Sequence, residues 1–463
     1  MFRNRFKTVI LSGIGAAMLM AAPVAASAET LADALISAYR NSNLLEQNRA
    51  TLRAADEDVA QAVAALRPVL QWSANYTVSH TNSLNSTGVS FTSRAATTTL
   101  GATMTLLGFG RERIAVEMKK ESVLATREAL RSVEQAVLLS AIQAYSDVKS
   151  ASEQVAINQN SVRVLNEELK ASNDRFEVGE VTKTDVALAQ AQLASARASL
   201  ASAQGSLRTA RESFKAATGH YPSKLAAFPR QPTLPKSLDA ARAIALRSHP
   251  SIKQLQHTVA VLDLGISLAR AQRMPEVTGT LGYDLDEGGD HGATAMIGMS
   301  QTLYAGGGLV AGQRQAIANA EAAKAQLSQA GVTVSQNVSN AWAAIDIARA
   351  QISAFDEQIK AARTAYQGVR EEALLGARTT LDVLSSEQDL LDAQAGRINA
   401  SATLQVSYYQ LLSAMGLLTV NNLKLGIPTY DPAAYYNAVR NAPITLSPQG
   451  KKLDRVLKAM GKN

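Results

Sequence analysis

The chain has no cysteine among its 463 residues. Disulfides, thiolate metal sites and a lipid-modified N-terminal cysteine are excluded with it. After residue 28 no stretch approaches the ~20 unbroken apolar residues that a spanning helix requires, so any passage through a membrane must use strands. The five histidines, His80, His220, His249, His257 and His291, show no i,i+4 pair or other ligand spacing. No nucleophile stands beside a base, so the sequence offers no catalytic, cofactor-binding or metal site. Gly306 to Ala311 matches the dinucleotide fingerprint literally. Its context fails, because the preceding strand is amphipathic and the following helix far exceeds a ~30-residue strand-helix-strand unit. It reads as a strand-to-helix corner.

A basic body is also missing. The net charge is +7, yet the first 28 residues hold three bases and no acid, and Arg440 to Asn463 holds six bases against Asp454. Taking those surpluses of three and five from seven leaves Glu29 to Val439 at −1. Nucleic acid is therefore not an expected partner. The first 28 residues instead form an export signal: Arg3, Arg5 and Lys7, an apolar run from Val9 to Met20, then Ala26-Ser27-Ala28 as the cleavage site after Ala28. The mature chain is expected to begin at Glu29, outside the cytoplasm.

From Arg111 to Val178 there is neither Gly nor Pro. Apolar residues recur there in steps of three and four, through Val137, Ala141, Ala144, Val148, Ala151, Val155, Val162, Leu165, Leu169 and Phe176. This heptad pattern predicts a helix seamed against a partner. At ~1.5 Å per residue it would run roughly 100 Å, which no compact domain can enclose. After the turn Val178-Gly179-Glu180-Val181, a return helix carries Leu193, Leu200, Leu207 and Phe214 on one stripe and Ala189, Ala196, Ala203, Ala210 and Ala217 on another.

The chain is a duplication. Leu31, Arg40, Pro68 and Tyr76 match Leu238, Arg247, Pro275 and Tyr283 at an offset of 207, while Tyr145, Gly179, Asp185 and Gly219 match Trp342, Gly376, Asp382 and Gly416 at 197. Copy one therefore carries ten extra residues, placed by composition in a Ser-, Thr- and Asn-rich loop from Thr81 to Ser93. Each copy reads short helix, strand, loop, strand, long helix, tight turn, medium helix. The strands alternate: Leu70, Trp72, Ala74, Tyr76 and Val78; Ala96, Thr98, Leu100, Ala102, Met104 and Leu106; Val277, Gly279, Leu281, Tyr283 and Leu285; Ala293, Ala295, Ile297 and Met299. Small polar residues fill the other face, the pattern of outer-membrane barrel strands. Four strands cannot close a barrel whose minimum is ~8, so closure requires other chains.

The duplicated turns, Arg175-Phe176-Glu177-Val178-Gly179 through Thr184-Asp185 and Leu374-Leu375-Gly376-Ala377-Arg378-Thr379-Thr380-Leu381-Asp382-Val383-Leu384, with the Pro68/Pro275 and Gly219/Gly416 junctions, resemble those of the TolC family of outer-membrane efflux and secretion channels. The resemblance covers essentially all of the mature chain. It implies an α+β protomer in a homotrimer, with long antiparallel helical hairpins forming an α-barrel in the periplasm and four strands per chain sharing a twelve-stranded barrel in outer-membrane lipid. It also implies a periplasmic adaptor and an inner-membrane exporter as partners. Carried over by position, Asp185 and Arg378 would be acid and base in a latch closing the periplasmic entrance, and Asp382 an acidic ring at the constriction. Ala373 and Ser385 depart from the family there, where a tyrosine and a second acid can stand. The tips Val178, Gly179, Glu180, Val181 and Thr182, with Leu375, Gly376, Ala377 and Thr379, would contact the adaptor. Thr182-x-x-Asp185 and Thr379-x-x-Asp382 equally fit capping boxes, so a purely structural role for both acids stays open.

The domain reading is a signal at 1–28, a first repeat at 29–230, a second at 231–425 and a tail at 426–463. Pro428, Pro432, Pro443 and Pro448 break regularity in the tail, which is expected near the equator of the tube, wrapping its waist and partly disordered at its basic end. The competing class is a soluble periplasmic coiled-coil adaptor or structural protein. That class explains the signal and the heptads but needs neither lipid-compatible strands nor a duplication.

Overall fold

The structure, a computed structural model, describes residues 28–82 and 90–459. Residues 1–27 of the expected signal, and residues 83–89 of the expected loop, lie outside the described residues. The order is α1 (Leu31–Asn41), α2 (Asn43–Ala64), β1 (Val69–Asn82), β2 (Ser90–Leu107), α3 (Arg111–Glu177) and α4 (Lys183–Thr218), then α5 (Leu238–Ser248), α6 (Pro250–Ala271), β3 (Glu276–Asp286), β4 (His291–Ser300), α7 (Gly308–Leu374) and α8 (Thr380–Ala414). Two tail helices follow, α9 (Pro432–Val439) and α10 (Pro448–Ala459).

The duplication is visible in the elements themselves. Helices α3 and α7 are each 67 residues long, ~100 Å at the α-helical rise. Helix α3 packs against both short upper helices, α2 and α6, and both medium lower helices, α4 and α8, while α7 packs against α6 and α8. The upper helix breaks from its predecessor at an N-cap, Ser42 in copy one and His249 in copy two, where extended backbone and a side-chain acceptor restart the helix. Where the lower helix ends, Gly219 and Gly416 pass so close to that break that a Cβ would lie 2.9 Å from Asn41 Nδ2 and 2.7 Å from His249 Cα respectively. The two short helices meet there, and Asn41 Nδ2 donates to the Thr218 carbonyl at 2.8 Å.

The four strands form one antiparallel sheet in the order β1-β2-β3-β4, so β2 pairs with β3 although α3 to α6 lie between them in the chain. Register aligns the alternation of all four. Trp72, Leu100, Tyr283 and Ala293 form one row, and Leu70, Ala102, Leu281 and Ala295 the next. Between them runs Gln71, Gly101, Gly282 and Thr294. The sheet therefore has one apolar face, on which Leu70 is 70% and Ile297 76% exposed, and one face of small polar residues, where Thr99 Oγ1 donates to Asp284 at 2.7 Å.

The ten additional residues of copy one behave differently from the expected loop. Thr81 and Asn82 pair with Phe91 and Ser90, and β1 and β2, at 14 and 18 residues, exceed β3 and β4 at 11 and 10. Ser and Thr suit a strand as readily as a loop once a partner strand supplies the backbone hydrogen bonds, so the insertion lengthens the first hairpin.

A cluster at the waist gathers Leu35, Leu138, Ile142, Tyr145, Phe214, Tyr408, Leu411, Met415 and Leu418, closed by the linkers that carry Leu225, Phe228, Leu423 and Ile427. Buried Tyr145 donates to the Ala226 carbonyl at 2.9 Å, pinning the inter-repeat linker to α3.

The tail runs along the tube rather than around it. Tyr430 N donates to Tyr39 Oη at 3.2 Å, Tyr435 Oη to Glu57 at 2.6 Å, and the Arg67 guanidinium to the carbonyls of Ala442 and Asn441 at 2.9 and 2.6 Å. These contacts climb α2 toward β1. It is also helical where irregular chain was expected, because Pro432 and Pro448 each open a helix, a position where the missing N–H costs nothing.

Candidate functional site: the helix-hairpin tips

Both hairpins turn by the same device. Gly179 and Gly376 hold φ of +79° and +77°, a left-handed conformation that disfavours any side chain with a Cβ. Glu180 N donates to the Arg175 carbonyl at 2.9 Å, and Ala377 N to the Glu372 carbonyl at 2.9 Å, closing each helix with the six-residue bond of a Schellman turn. The next helices start on capping boxes. Asp185 Oδ2 accepts from Thr182 N at 2.9 Å and Oγ1 at 2.7 Å; Asp382 Oδ2 accepts from Thr379 N at 3.0 Å and Oγ1 at 2.9 Å. Hydrogen bonds from Thr182 and Thr379 hold both carboxyls below the ordinary aspartate range, so both are anions at neutral pH.

The two turns lie side by side around a cleft of about 470 Å³ lined by Arg175, Glu180, Asp185, Leu375, Arg378 and Thr380, among others. Asp185 and Arg378 thus share one cleft. Within the chain, however, Arg378 Nε pairs with Glu372 Oε2 of its own hairpin at 2.8 Å. That hydrogen bond and charge keep the guanidinium protonated. At the very tip Val178 is 70% and Leu375 86% exposed, an apolar pair with nothing beneath it.

Sequence reasoning missed one titratable group above the turns. Glu387 of α8 is 6% exposed, and its single hydrogen bond comes from Ser161 Oγ of α3 at 3.4 Å. Burial first, and the nearby Glu168 charge second, push its carboxyl up to about 7 against the opposing pulls of Ser161 and Arg370. The signal was present: Glu387 stands at i+4 from Val383 and i+3 from Leu384, an acid inside an apolar stripe. Higher up, α3, α4 and α8 leave a groove of about 530 Å³ among them, lined by polar residues such as Asn158, Ser195, Ser199 and Gln388 with Ile157, Leu165 and Leu391.

The sequence profile described as "Outer membrane efflux protein" matches residues 35–220 and 242–417, which are the two repeats. The chain belongs to the outer membrane efflux protein family. It is 32% identical to the outer membrane efflux protein BepC of Brucella suis biovar 1 (strain 1330), over 92% of this chain and 95% of that protein. It is 25% identical to the outer membrane protein TolC of Escherichia coli (strain K12), over 85% of this chain and 84% of that protein. The solved Campylobacter jejuni CmeC outer membrane channel superposes with a TM-score of 0.76 at 16% identity, covering 90% of each chain. The expected fold class is that of this family: helical hairpins below, and a four-stranded contribution to a transmembrane barrel above. Among the described residues no helix is long and apolar enough to cross a membrane. The protein is an exit duct in the outer membrane with its helices in the periplasm, and a free adaptor has no use for such a sheet. Its family consists of channels rather than enzymes.

Proposed function

We propose that three copies of this chain form one continuous conduit, open to the exterior through a twelve-stranded barrel and reaching a periplasmic adaptor and an inner-membrane exporter through the hairpin tips. The observation that carries the reading is a sheet with an exposed apolar face and two unpaired edges, β1 and β4, seated on helices ~100 Å long. Unpaired edges in a bilayer are intolerable, and a third of a twelve-stranded cylinder satisfies them when each β1 meets a neighbour's β4. The conduit is passive, and driving energy comes from the exporter.

At the entrance, three copies of Asp382 would form an anionic ring favouring cations, with Asp185 and Arg378 beside it. The Glu372–Arg378 pair is an exposed bridge of the kind worth little by itself, so exchanging Glu372 for an acid of another hairpin is energetically accessible. Below the polar groove, among the described residues, a single small cluster, Leu165, Leu193 and Leu384, ties the second hairpin to the first, so little apolar burial opposes its movement. Adaptor contact falls on Val178 to Thr182 and Leu375 to Thr379, whose apolar tips are available for burial.

The test is the mass of the detergent-solubilised protein, together with planar-bilayer recordings. A species of three chains that conducts is expected. A monodisperse monomer without conductance would overturn the reading.

A further inference from the structure

The tail beyond the helical belt is left unused by the conduit. Arg67, two residues before β1, holds the carbonyls of Asn441 and Ala442, and Gln449 Nε2 donates to the Ala438 carbonyl at 2.9 Å. The start of α10 is thereby fixed at the root of the barrel. That level is the bilayer boundary: Trp72, Phe109, Leu303 and Tyr304 are 68%, 46%, 88% and 87% exposed at the foot of β1 and the strand-to-helix corners, where barrels place their aromatic belt.

The segment arriving there has the composition of a membrane-surface helix. In α10, Lys451, Lys452, Arg455 and Lys458 are all exposed against the single acid Asp454, and among the described residues none of the four bases forms an ion pair. Apolar side chains accompany them. Ile444, Leu446 and Val456 are 63%, 80% and 53% exposed. Bases with unburied aliphatics at a bilayer boundary match an anionic lipid surface, where headgroup phosphates take the charges and the acyl boundary takes the aliphatics.

We infer that residues from Ile444 through α10 form a cationic amphipathic foot that lies on the periplasm-facing leaflet and binds anionic phospholipid headgroups. It rests on the outer-membrane location, and Arg67 is the positioning residue that delivers the foot to that level.

The absence of cysteine permits a direct test. Full-length Val456→Cys protein, labelled with an environment-sensitive fluorophore, is reconstituted into vesicles of phosphatidylcholine alone or with phosphatidylglycerol. With phosphatidylglycerol the emission shifts to the blue and is quenched by brominated acyl chains. Each base neutralised in the series K451Q, K452Q, R455Q, K458Q weakens the association about fivefold. Leu375→Cys, at the opposite end of the helices, keeps a water-like emission in both vesicles. Water-like emission from Val456→Cys in both vesicles would overturn the inference. So would a blue-shifted emission indifferent to lipid charge and to brominated lipid, which would mean that a second copy or a protein partner covers the helix.

Discussion

Glu387 shows how one residue can carry an environmental dependence. Its carboxyl is buried between α3 and α8, faced by Ser161 and Glu168 of α3 and by Tyr366 and Arg370 of α7. A carboxyl raised to about 7 when folded and ordinary when unfolded binds its proton more tightly in the native state. Its contribution to stability is therefore lost as pH rises from the unfolded value through about 7. Glu387→Gln should raise the thermal midpoint at pH 8 by an amount corresponding to roughly 2 kcal/mol and leave it nearly unchanged at pH 4, below the unfolded value, as measured by circular dichroism melting. Asp382 is a separate matter, because one carboxylate serves as a cap and as a candidate ring charge. The two roles come apart by mutation: Asp382→Ala should lower cation preference in single-channel recordings, whereas Thr379→Ala removes the cap, keeps the charge and should leave selectivity intact. Loss of selectivity in both variants would assign Asp382 to capping alone. Such capping boxes were legible in the sequence, since Thr-x-x-Asp is local chemistry. The Arg378–Glu372 pair was not, because several acids lie within reach of a flexible arginine and only the packed turn selects one.

Among the elements, the hairpin turns are the most constrained. Alanine at both Gly179 and Gly376 meets a left-handed conformation that costs a non-glycine residue on the order of 1 kcal/mol each, small beside the packing of α3 on α4. The double variant should assemble normally and lose export, scored as cargo in the medium against oligomer on a gel. Normal export would remove the tips from adaptor contact. Tail docking also belongs to this scale. Arg67→Ala deletes the donors to Asn441 and Ala442 and should make the chain beyond Val439 sensitive to limited proteolysis while conductance persists. The tail helices escape a sequence reading that takes every proline as a breaker, since Pro432 and Pro448 each stand at a helix start. At the first position of a helix proline is a starter, and whether a helix continues beyond it depends on the surface it lies against.

For the whole molecule, the waist decides stability. Phe214, fully buried where α4 meets α1 and the inter-repeat linker, should cost ~3–5 kcal/mol on truncation to Ala. That loss would appear as reduced oligomer recovered from membranes, with no change in the conductance of the channels that do form. An equal loss from truncating Leu165, in the small cluster far below, would show that stability is not concentrated at the waist.

By itself the sequence determined helix length, duplication, strand alternation and the position of the tips, because each is a periodicity or a break read within a few neighbouring residues. The apolar face of the strands was legible in the same way, from period-two alternation alone. Only the tertiary structure decided the pairing of β2 with β3, the waist core, the course of the tail along α2 and the burial of Glu387. Each of those depends on which surfaces meet across hundreds of residues, and local pattern carries no record of the partner.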